Sequence, residues 1–170
     1  TLEDVLSYAE RGSARLLELD QDETTVDALA SEVAEALQST QALASQLSAL
    51  RQSAAVLLGE AVTQELSALA MPTATFHVSV ESSPELAAHG SDHISLLLSA
   101  HPGSAPLPLG KGASGGELSR VMLALEVVIA GNDPVPTFVF DEVDAGVGGA
   151  SALEIGRRLD RLAQNAQVIV

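Results

Sequence analysis

Two short stretches hold the residue types that phosphate chemistry needs. The first is Ser114-Gly115-Gly116-Glu117, which runs straight into the apolar sequence after Leu118. Two glycines and a hydroxyl at the mouth of a helix leave backbone N–H groups open to an approaching anion, and the helix dipole favours negative charge there. The second is Thr137-Phe138-Val139-Phe140 followed by Asp141-Glu142. An apolar strand ending in two acids puts carboxylates at the carboxyl edge of a parallel sheet, where ligands of open α/β folds bind. One carboxylate of such a pair can hold Mg²⁺, usually through water, and the next can orient or deprotonate an attacking water. Taken singly, each stretch has a plainer explanation, a helix cap or a surface acid pair.

Something must position these stretches. The glycine turn predicts a helix to about Ala130, then a turn at Gly131-Asn132-Asp133-Pro134 and the strand 137–141. A helix over Ala150–Leu162 follows, with Arg157, Arg158 and Arg161 read as a solvated polar face, and Gln167–Val170 starts another strand. Strand–helix–strand with fully apolar strands implies a parallel, buried sheet. Upstream, ATFHVSVE (74–81) and ISLLLSA (94–100) have strand character with turn sequence between them, and 101–106 marks a loop.

Before Pro72 the pattern is helical. Val26, Leu29, Val33, Ala36, Thr40, Leu43, Leu47, Leu50, Ala54, Leu57, Ala61 and Gln64 follow a 3-4 spacing, and ten of the twelve are apolar. No proline intervenes, so the run reads as one helix packing on a partner helix, roughly 65 Å from Val26 to Leu69 at 1.5 Å per residue. Residues 1–19 also look helical, with a break expected at the polar stretch Asp20–Thr25. The division expected is an arm over 1–70 and a lobe over 71–170.

Composition narrows the class. The 170 residues carry 23 acids against 8 bases, a net charge of −15, with no cysteine. Residues 1–70 hold 12 acids and 3 bases, and residues 71–170 hold 11 and 5, so neither part looks like a phosphate-backbone surface. Without cysteine there is no disulfide framework or thiolate site, and His77, His89, His93 and His101 lack metal-ligand spacing. The longest apolar run, Val121–Ala130, is interrupted by Glu126 and is too short to span a bilayer. The chain reads as soluble and cytoplasmic, with no membrane partner. It opens on Thr1 and closes inside an apparent strand, so a longer polypeptide is expected around it.

The order glycine turn, helix, apolar strand, Asp-Glu resembles the signature loop and Walker B strand of ABC-type ATPases. Val143-Asp144 after Asp-Glu departs from transporter ATPases, which typically continue Pro-Thr. Asp144-Ala145-Gly146-Val147-Gly148-Gly149 and Ala113–Arg120 resemble the RecN family of SMC-like ATPases. The resemblance implies an α/β fold: the C-terminal lobe of an ABC-type head, a P-loop NTPase-like parallel sheet with helices, joined to a long antiparallel coiled-coil arm segment. It implies ATP and Mg²⁺ as cofactors. Ser114, Gly115, Gly116 and Glu117 would form the nucleotide-binding turn, with Ser114 and the two glycine amides contacting the γ-phosphate of ATP held by the opposite head. Asp141 would assist Mg²⁺, Glu142 would activate water, and Asp144 and Gly146 would form the loop joining the two sites.

The implied partners are the N-terminal half of the same polypeptide (its phosphate loop and ascending arm), a second head in a homodimer, and DNA in the full-length protein, in a nucleoid-associated setting. The implied function is recombinational repair of DNA double-strand breaks. No G-x-x-x-x-G-K-[ST] loop occurs here, so the chain is expected to be inactive alone. Arg120 is open between pairing with an acid and sensing nucleotide. Rival readings are an SMC chromosome-structure protein, a transporter nucleotide-binding domain, and a purely structural coiled coil. The arm argues against the transporter, and the glycine turn against the coiled coil.

Overall fold

The computed structural model describes residues 1–129 and 136–170, including every side chain in them except those of 20–24 and 112. The turn expected at 131–134 lies outside the described residues. Contacts divide the chain into two compact units, Thr1–Gln46 and Leu47–Val170.

Helix α1 covers Leu2–Ala68. Its backbone continues through 20–25, where a break was expected. The stretch contains neither Gly nor Pro, so losing the apolar seam there does not cost the helix its hydrogen bonds. Within the first unit the seam residues face solvent: Val26, Leu29, Val33 and Leu43 are all exposed.

In the second unit α1 turns apolar residues inward. Val62, Leu66 and Leu69 recur at helical spacing and are fully buried. The helix then stops in a defined way. Ala70 takes φ 61°, and the Met71 amide donates to the Leu66 carbonyl at 3.1 Å. This is the Schellman cap, with alanine in the left-handed position that glycine usually holds and Met71 and Leu66 both buried. Pro72 follows and forbids further helix.

Strands β1 (Thr75–Ala87) and β2 (Gly90–Ser99) form an antiparallel hairpin, Thr75 opposite Ser99 through Ser82 opposite Asp92. The segment 82–93, expected as turn, thus extends both strands, with a register shift after Ser82 and Gly90 at φ 101° closing the tip. β3 (Leu107–Pro108), directly after the loop expected at 101–106, adds a short third strand beside β2. One turn of helix, α2 (Leu109–Gly112), leads to α3 (Gly115–Ile129). Then come β4 (Thr137–Val139), α4 (Ala150–Ala163) and β5 (Gln167–Ile169).

β4 and β5 pair in parallel, as expected, and the Phe140 amide extends the ladder to the Ile169 carbonyl at 2.9 Å. The strand is not buried on both faces within this chain: Val139 is 71% exposed. The core gathers Leu66, Phe76, Leu98, Val121, Leu123 and Val143 from α1, the hairpin, α3 and the loop after β4. α4 contributes Ile155 and Leu162, seven residues apart on one stripe. Its arginines are not one solvated face. Arg158 is 19% exposed at its side chain and its Nε donates to Glu65 at 2.9 Å, while Glu154 accepts from both Arg157 and Arg158. The chain's acidic excess supplies those partners.

Candidate functional site

Ser114 caps α3. Its hydroxyl donates to Glu117 Oε2 at 2.7 Å, its amide donates to the same oxygen at 2.8 Å, and its carbonyl takes the Leu118 amide at 2.8 Å. The Glu117 amide returns to Ser114 Oγ at 3.4 Å. This is a capping box, Ser at the cap and Glu three residues on. The bonds from the Ser114 amide, then from its hydroxyl, hold the Glu117 carboxyl below the usual carboxylate range, and the Arg120 charge adds a smaller effect. The first amides of a helix lack an intrahelical acceptor. Glu117 answers one of these needs at the Ser114 amide, and Gly115 and Gly116 add no side chain of their own at the start of α3.

Glycine at these two positions also has a reason inside the chain. A Cβ on Gly115 would lie 2.6 Å from Glu142 Oε2, and a Cβ on Gly116 would lie 3.1 Å from both the Ala145 Cβ and the Glu142 carbonyl. The glycine turn and the acid pair are therefore in contact. Twenty-five sequence positions separate Ser114 from Val139, yet α3 and β4 bring their ends together.

The loop after β4 is wound tightly. Glu142 has φ 55°, a left-handed conformation that a side chain rarely adopts. The Ala145 amide donates to the Glu142 carbonyl at 3.0 Å, the Val147 amide to the Asp144 carbonyl at 3.0 Å, and Gly146 follows at φ 71°. Val143 is fully buried and pins the loop, leaving Asp141, Glu142 and Asp144 exposed. Strain of this kind, on the order of 1–3 kcal/mol for a non-glycine residue, gathers where function needs a side chain aimed.

Two side chains from α3 hold that loop, and the sequence reading gave one of them no role. Ser119 Oγ donates to the Asp141 carbonyl at 2.5 Å, and Arg120 Nη1 donates to the Ala145 carbonyl at 3.1 Å. Arg120 is 7% exposed and forms no ion pair among the described residues; its guanidinium goes to a backbone carbonyl. Its position six residues after Ser114 is the available signal: it follows the glycine turn by little more than one helical turn.

Asp141 lies beside a groove of about 270 Å³ between α3 and β4, lined by Ser119, Met122 and Phe138. A larger groove, about 550 Å³, lies between α1 and β1 at Gly59, Thr63 and Phe76 and contains none of the candidate residues. Among the described residues no three acids or histidines are grouped to hold a metal by themselves. The donor set still fits Mg²⁺ carried by a polyphosphate, which keeps waters and phosphate oxygens and takes one or two protein carboxylates.

In fold the chain is like one lobe of an Smc head domain with a segment of coiled coil. It is similar to the solved Smc head domain with a coiled coil and joint from Pyrococcus yayanosii, at TM-score 0.50 and 22% identity, over 71% of this chain and 22% of that one. By sequence, the chain is similar to part of several bacterial proteins named DNA repair protein RecN. It is 54% identical to RecN of Streptomyces coelicolor over 140 residues, 75% of this chain and 24% of that protein. It is 44% identical to RecN of Mycobacterium tuberculosis H37Rv over 192 residues, 99% of this chain and 32% of that protein. With RecN of Deinococcus radiodurans it shares 40% identity over 174 residues, 100% of this chain and 30% of that protein. The chain thus spans between 24% and 32% of the length of these relatives. No family model matches. Among the described residues no helix is long and apolar enough to cross a membrane.

Proposed function

We propose that this chain is the arm (1–70) and signature lobe (71–170) of a RecN-type ATPase that acts in recombinational repair of DNA double-strand breaks. ATP is held between two engaged heads. The rest of the same polypeptide supplies the phosphate loop and an ascending arm, and DNA is the partner of the full-length protein, in the cytoplasm at the nucleoid. Alone, the chain does not turn over ATP.

The observation that carries this reading is the contact between Glu142 and the glycine turn. Glu142, in left-handed backbone, sets its carboxylate at the start of α3, where a Cβ on Gly115 would lie 2.6 Å from Oε2. Glu142 would take a proton from the attacking water and Asp141 would help hold the Mg²⁺ that accompanies the nucleotide. Bound with ATP, that ion neutralises charge developing on the phosphates. Ser114, Gly115 and Gly116 would meet the γ-phosphate of the nucleotide on the opposite head, with Glu117 keeping the turn in shape. Asp144 and Gly146 lie on the loop that would join the two sites.

A chromosome-structure protein of the SMC type is the second reading, favoured by the likeness to the Smc head. The stronger sequence identities to RecN proteins weigh against it.

The test is Glu142→Gln in the full-length protein. It keeps size and removes the base, so ATP should bind and persist while turnover falls by roughly 10²-fold or more. Hydrolysis at the wild-type rate would remove Glu142 from the role of base.

A further inference from the structure

We propose that Ser119 and Arg120 are positioning residues: together they clamp the loop 141–145 so that Glu142 is held against the glycine turn. This rests on the ATPase reading above and names the device that sets its geometry.

The clamp has two jaws on successive residues of α3. Ser119 fixes the carbonyl of the residue before Glu142, and Arg120 fixes the carbonyl of Ala145, three residues after it. The backbone between these anchors contains the residue with φ 55° and the turn closed by the Ala145 amide on the Glu142 carbonyl. A left-handed non-glycine residue returns to ordinary backbone unless its surroundings hold it. Here both flanks are tied to a helix that is itself buried along Val121, Leu123 and Ala124.

Arg120 is costly to bury for packing alone. Its Nη1 donates to the Ala145 carbonyl, and its Nε is buried without a hydrogen-bond partner among the described residues. A Cβ on Gly116 would come within 3.4 Å of Arg120 Nη1. The same arginine therefore touches the glycine turn and the acid loop. Any shift of the turn is passed through Arg120 to the backbone beside Glu142. An apolar residue would fill the space without the fork of donors.

The experiment uses the full-length protein with Arg120→Ala, Arg120→Lys, Ser119→Ala and the double variant Arg120→Ala/Glu142→Gln. For Arg120→Ala we expect kcat for ATP to fall on the order of 10²-fold, as for a misplaced reacting group. KM should stay within about twofold, since substrate binding is not what is lost. Arg120→Lys should recover part of kcat, and Ser119→Ala should show a smaller loss in the same direction. The double variant should be no slower than Glu142→Gln alone, because the arginine acts through that carboxylate. In the same variants, amide exchange over 142–147 should quicken.

A further drop in the double variant, or unchanged exchange over 142–147 in Arg120→Ala, would overturn the proposal. If Arg120→Ala fails to fold, Ser119→Ala carries both readouts. Should Glu142→Gln itself hydrolyse ATP normally, the ATPase role of Glu142 fails, and the exchange measurement alone decides whether the clamp exists.

Discussion

Gly115 and Glu142 occupy the same small space: a methyl group on the glycine would lie 2.6 Å from the carboxylate oxygen Oε2. The atom in the way is the free end of a flexible side chain, so the carboxylate would move rather than the fold. Gly115→Ala should leave the melting temperature unchanged or slightly raised, since alanine favours a helix over glycine by about 1 kcal/mol. ATP turnover of the full-length protein should fall by roughly tenfold or more, because the carboxylate is displaced. Wild-type turnover would mean that Glu142 acts from a different rotamer.

Ser114 can separate the helix-capping role of the turn from the nucleotide contact proposed for it. Ser114→Asn keeps a capping acceptor, which costs the helix little, but replaces a hydroxyl with a bulkier amide. Nucleotide affinity of a single full-length head should hold, and ATP-dependent dimerisation by light scattering should weaken. Loss of both would assign the turn to the pocket of its own head. Gly116→Asp is a poorer probe, because any Cβ there would lie 3.1 Å from the Ala145 Cβ and the Glu142 carbonyl.

The arm offers a test at Leu50, which is 70% exposed. Leu47, expected on the same seam, is less exposed, at 36%, and a Cβ on Gly90 would lie 3.2 Å from its Cδ2. In the full-length protein Leu50→Asp should destabilise the paired arms by several kcal/mol if an antiparallel helix covers this seam. An unshifted melting curve would leave Leu50 outside the interface.

Asp92 predicts an acid-sensitive fastening of the hairpin. Its carboxylate accepts from Ser48 Oγ at 2.7 Å and from Arg51 Nη1 at 2.9 Å. These bonds, Ser48 first and Arg51 next, hold its pKa below the ordinary aspartate range. The folded value is depressed, so its stabilising effect is complete above the unfolded value and drains away as pH falls through the folded one. Asp92→Asn should lower stability at neutral pH and flatten its dependence on pH in the acid range. Equal acid profiles for both proteins, measured by thermal melts, would remove Asp92 as the cause.

Much of this organisation was legible before any coordinates. The 3-4 spacing and Pro72 marked α1 and its end, and strand–helix–strand with apolar strands marked the parallel pair. The glycine turn and the Asp-Glu pair were each legible as phosphate-chemistry motifs, read as parts of two joined sites; that they lie against each other within the chain was not. What was not legible depends on neighbours distant in sequence. Arg120 looks like any helix-surface charge until its guanidinium is seen against the Ala145 carbonyl. Arg158 reads as solvated until Glu65 is brought beside it from the end of α1. The left-handed backbone at Glu142 has no sequence signal either, since glycine is what usually announces it.

Thr63 has a consequence of another kind. Its hydroxyl accepts the Phe76 amide at 3.0 Å and lies 3.4 Å from the Phe76 carbonyl. β1 is the outermost strand of its sheet, and an unpaired outer strand invites a second molecule to add itself there. At Phe76 a threonine side chain takes the place that such an intruder would occupy. The helix that carries the arm thereby guards the sheet against self-association at the point where the hairpin meets the core.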